Sequence, residues 1–73
     1  MGSWQQLKEK ARIAILETLK KHKKARKSVL LASLDVEMGI SEGIAQKQIK
    51  NLILLEKIRE DNEFLYLLEQ KNG

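Results

Sequence analysis

The chain contains no proline, and from Trp4 to Lys24 it contains no glycine either, so no backbone breaker interrupts a helix there. Over that stretch Leu7, Ala11, Ala14, Ile15, Leu16 and Leu19 recur at the spacing of a broad apolar stripe. A first helix is therefore expected from Trp4 to about Lys24. Its end carries Lys20, Lys21, Lys23 and Lys24, where positive charge complements the unpaired carbonyls of a last helical turn. Ser3 and Gln6 stand at capping-box spacing ahead of it, although residues 1–3 also read as a short tail or cloning remnant.

Punctuation becomes dense after this helix. Ala25 to Lys27 read as a connector or minimal strand, and Ser28 is placed to cap a second helix from Val29 to Met38 that turns Leu30, Leu31, Leu34 and Met38 inward. Gly39 supplies a left-handed stop, Ile40 a core plug, and Ser41 a hydroxyl cap for a third helix from Glu42 to about Leu55. Lys57 to Glu60 and Glu63 to Leu68 read as strands around an Asp61–Asn62 turn. Pairing Glu60 with Glu63 sets Ile58 opposite Leu65. Alternation then sends Ile58, Leu65 and Leu67 to one face and Lys57, Arg59, Phe64, Tyr66 and Leu68 to the other. The domain is expected to span residues 4–68, with 69–73 a polar tail.

With 73 residues, one domain is the natural size. A composition of 42% hydrophobic and 33% charged residues is that of a folded protein, and no apolar run approaches a membrane span. The absence of cysteine removes disulfides, thiolate zinc sites and thiol catalysis, and favours a reducing interior, cytoplasmic or nucleoid-associated. The net charge of +4 is unevenly spread: residues 1–27 carry a balance of +7 and residues 28–73 a balance of −3. Screening over about 8–10 Å confines attraction for phosphates to local surfaces.

Three helices and a hairpin, with Gly39-Ile40-Ser41 between the second and third helices, resemble the winged-helix branch of helix-turn-helix domains. The apolar spacing of Ala45, Ile49, Leu52 and Ile58, with Leu31 and Ala32 before it, is the spacing shared by that family's third helix and first wing strand. The resemblance covers nearly the whole chain and implies a mainly α fold with a small β-hairpin (α+β). In size and layout the chain is also similar to the winged helices that close archaeal replicative MCM helicases, which look like regulatory modules. It departs from the family at Glu56, where a glycine is usual, and at the wing tip, where Glu60, Asp61 and Glu63 replace basic residues. An acidic tip repels phosphates, so the wing is discounted as a DNA probe.

Function follows from what faces outward. If Ala45, Ile49 and Leu52 are buried, the third helix presents Gly43, Gln46, Lys47, Lys50, Asn51 and Leu54, whose amides and ammonium groups suit base edges and phosphates. The segment Lys20, Lys21, Lys23, Lys24, Arg26 and Lys27 adds six cations in eight residues for the phosphate backbone. Duplex DNA is the expected partner, in transcription regulation or accessory replication work. The rival reading is a protein-interaction surface built from Trp4, Leu54, Phe64, Tyr66 and Leu68, meeting a second copy or the rest of a larger protein. Lys57 and Arg59 beside Phe64 and Tyr66 can also stack as cation and ring or flank unpaired bases. The single histidine, His22, lies among lysines as a solvated side chain, and there is no glycine-rich phosphate loop, so neither catalysis, metal nor cofactor is expected. A membrane-surface role fits poorly, because the lysines of the first helix gather at its end.

Overall fold

The structure, a computed structural model, describes residues 3–68, with side chains from Gln5 onward. The Ser3 cap, the Trp4 side chain and the tail 69–73 lie outside the described residues. The elements are α1 (Ser3–His22), β1 (Lys24–Arg26), α2 (Lys27–Met38), α3 (Glu42–Leu54), β2 (Ile58–Asp61) and β3 (Phe64–Leu67). The strands form one antiparallel sheet in the order β1-β3-β2, giving an α+β fold with a winged-helix-like layout. The minimal strand thus becomes a full member of the sheet, with Ala25 opposite Leu65.

The core follows the helical and strand periods. Ala11, Ile15 and Leu19 of α1 meet Leu30, Leu31 and Leu34 of α2, Ala45, Ile49 and Leu52 of α3, and Ile58 and Leu65 of the sheet. Ile40 is completely buried between α2 and α3, as its place after the glycine stop suggests. Each large aliphatic side chain buried in this way contributes about 1.5–3 kcal/mol. Met38 does not join them: it is 41% exposed.

Both expected hydroxyl caps are absent. Residue Arg26 occupies the N-cap position of α2, so Ser28 lies inside the helix. The strand β1 runs into α2 without a loop, and the Lys27 N–H donates to the Glu63 carbonyl at 2.7 Å. A hairpin carbonyl thus satisfies the first N–H of a helix that begins one residue ahead of the expected cap. At α3, Ser41 holds the N-cap position with extended dihedrals but makes no side-chain cap bond; its carbonyl accepts the Ala45 N–H at 3.0 Å. Gly39 does take the left-handed conformation, with φ 67°, and donates to Asp35 at 3.0 Å.

The hairpin differs in register. Asp61 pairs with Phe64 and Ile58 with Leu67, so the two-residue turn is Asn62–Glu63, with φ of 53° and 71°. Positive φ at both central residues is the twist-matched geometry for a tight hairpin. The shift is by an even number of positions, so the faces stay as alternation assigned them. Ile58, Leu65 and Leu67 turn to the core.

Glu56, where the resembling family carries glycine, has φ 61°. Its N–H donates to Ile53 at 3.0 Å and the Lys57 N–H donates to Leu52 at 2.9 Å, closing α3 with a Schellman motif. A side chain in this conformation costs about 1 kcal/mol. Glu56→Gly is expected to raise the melting temperature by roughly 4–8 °C, a shift corresponding to about 1 kcal/mol in a domain of this size, and Gly39→Ala to lower it similarly. Thermal unfolding by circular dichroism reads both.

Candidate nucleic-acid interface

Helix α3 buries Ala45, Gln48, Ile49 and Leu52. The opposite side is then fixed by helical geometry: Gly43, Gln46, Lys47, Lys50, Asn51 and Leu54 are all exposed and line one shallow depression. Gln46 is partly engaged, donating from Nε2 to the Glu42 Oε2 at 2.8 Å, which leaves its Oε1 to accept and the second Nε2 hydrogen to donate. A Cβ built on Gly43 meets nothing within 4 Å, so the chain's own packing does not require a glycine there.

Two cations that sequence reasoning missed extend this surface. Lys8 and Arg12 of α1 line a groove with Lys47, Gln48 and Asn51 of α3, together with Gln5 and Glu9. Their signal was present in the sequence, since positions 8 and 12 are one helical turn apart beside the Ala11–Ile15–Leu19 stripe.

The lysine cluster is not one patch. Lys27 lines a depression with Gln46, Lys50 and Leu54, and its Nζ lies 3.5 Å from the Glu60 carboxylate. Lys20 and Lys23 instead lie beside Leu19 and Leu67, and Lys21 and His22 are exposed on α1. Strand alternation sends Lys24 and Arg26 to the outer face of the sheet, with their charged groups 5.2 and 5.3 Å from the Phe64 ring centroid. Arg59 sits 5.5 Å from the Tyr66 ring on the same face. Only Lys27 adjoins the outward side of α3.

The apolar surface is divided as well. Leu54, 72% exposed, stands with the polar residues of α3, whereas Phe64, Tyr66 and Leu68 are half-buried on the outer sheet side. Leu7 packs on the main core and does not cover that outer side. Among the described residues, no group of three or more His, Asp or Glu is placed to hold a metal ion, and no helix is long and apolar enough to cross a membrane.

Comparison of the chain with protein-family models, curated proteins and solved structures gives no match.

The cations over Phe64 also bear on stability. Replacing Phe64→Leu removes both ring contacts and is expected to cost about 1–2 kcal/mol, read as a lower urea midpoint with an unchanged slope.

Proposed function

We propose that this chain is a winged-helix module that binds duplex DNA, with α3 in the major groove. The observation that carries the reading is the arrangement of α3, which buries Ala45, Ile49 and Leu52 and leaves Gln46, Lys47, Lys50 and Asn51 exposed between flanking cations. Asn51 and Gln46 have the amide donors and acceptors that adenine requires, and Lys47 and Lys50 reach guanine or phosphate. Lys8 and Arg12 on one flank and Lys27 on the other meet the two backbones. Gly43, open to solvent, lets a phosphate approach the start of α3 closely.

The wing contributes little to such contact. Glu60, Asp61 and Glu63 surround its turn, and Glu60 already takes Lys27 as a partner. The module then reads with the helix and holds with its flanks, in transcription regulation or as an accessory replication domain. A second reading, docking onto another protein, draws on Leu54 and Leu55, which are 72% and 60% exposed.

Titration of a labelled duplex at several salt concentrations separates the two. With about five phosphates neutralised, log affinity against log salt should slope near −4 to −5, and a slope near zero rejects DNA binding. Lys47→Ala with Lys50→Ala should flatten that slope by nearly two, with no change in thermal stability. Asn51→Ala should instead reduce discrimination among duplex sequences, at about 1–3 kcal/mol for the preferred base.

A further inference from the structure

The outer face of the sheet is organised in two rows that cross all three strands. Lys24 pairs with Tyr66 and Tyr66 with Arg59, while Arg26 pairs with Phe64 and Phe64 with Asp61. In each row the aromatic residue lies on the central strand, and three of the four flanking positions are cationic. Rows two residues apart are separated by roughly 7 Å, and the outer strands by roughly 10 Å. This face is turned away from the helices, since Ala25, Ile58, Leu65 and Leu67 occupy the opposite side with the core.

The geometry points to this face as a binding platform for single-stranded nucleic acid, independent of the duplex contact at α3. Bases in a duplex are stacked on each other, so their π-faces are hidden; an unpaired strand offers both faces and phosphates together. Rings at the centre and cations at the margins match that order. Phe64 and Tyr66 also hold the charged heads near their faces, so Arg26 and Arg59 are partly ordered before a ligand arrives. A guanidinium over a ring presents a second planar surface on which a base can stack. Charge complementarity selects a polyanion over a neutral partner at the Lys24–Tyr66–Arg59 row, flanked by cations on both sides, while the acids of the turn border the Arg26–Phe64–Asp61 row and direct the phosphates away from the tip.

The test uses the whole chain with a labelled oligothymidine of about twelve nucleotides, an oligouridine of equal length, and an abasic deoxyribose-phosphate oligomer of equal charge. The expected result is binding of one or both base-bearing strands at least roughly tenfold tighter than the abasic strand, with upfield shifts of the Phe64 and Tyr66 ring protons. The ratio of oligothymidine to oligouridine affinity assigns DNA or RNA as the source. Arg59→Gln, an exposed change that leaves the core intact, should weaken single-strand binding several-fold and leave duplex affinity within about twofold. Tyr66→Leu should abolish the preference for bases over the abasic strand. Equal affinity for abasic and base-bearing strands, no effect of Arg59→Gln, or no binding at low salt each overturns the proposal. So does sedimentation in which Tyr66→Leu converts a dimer to a monomer, which would assign the face to a second copy.

Discussion

The double pairing of β3 is the constraint on which the rest depends. Leu65, completely buried, lies at its centre with Ala25 on one side and Glu60 on the other. The first of these pairs joins residues forty positions apart, so forming it carries the entropy of closing the chain between them. Once formed, it ties the end of α1 and the start of α2 to the hairpin. The Lys27–Glu63 hydrogen bond reinforces that tie where the strand becomes helix. With α1 and α2 held in this way, the core side of α3 has one seat, and its outward side is set as a result.

Much of this was legible in the residues. Three helices, the Gly39 stop, the Ile40 plug, the buried stripe of α3 and both faces of the hairpin follow from period and punctuation, since burial of apolar side chains enforces those periods strongly. What was misread depends on longer-range competition. Ser28 lost its capping role because α2 begins at Lys27, directly after β1, and the turn moved by one residue, to Asn62–Glu63, in a sheet where β3 also pairs with β1. Neither effect is visible in local sequence.

The candidate site was legible only in part, for a related reason. The outward residues of α3 follow from the helical repeat, but which cations stand beside them depends on how helices and strands are packed. A cluster that is continuous in sequence is divided by the helix-to-strand transition at Lys23, a left-handed residue with φ 68°. Lys8 and Arg12, distant in sequence from α3, are its neighbours in space. Density of charge along a chain is thus a poor guide to density of charge on a surface.

The corner at Lys23 fixes a parity. Because β1 is only three residues long and enters α2 directly, one residue added or removed at that corner would exchange the environments of Ala25 and its neighbours. Only the middle position of the strand faces inward, so one ammonium or guanidinium group would be forced against Leu65 and the Ala25 methyl group would be turned to water. The spacing from the last turn of α1 to the first turn of α2 is therefore counted in even steps, and insertion or deletion there is far more restricted than the exposure of the segment suggests.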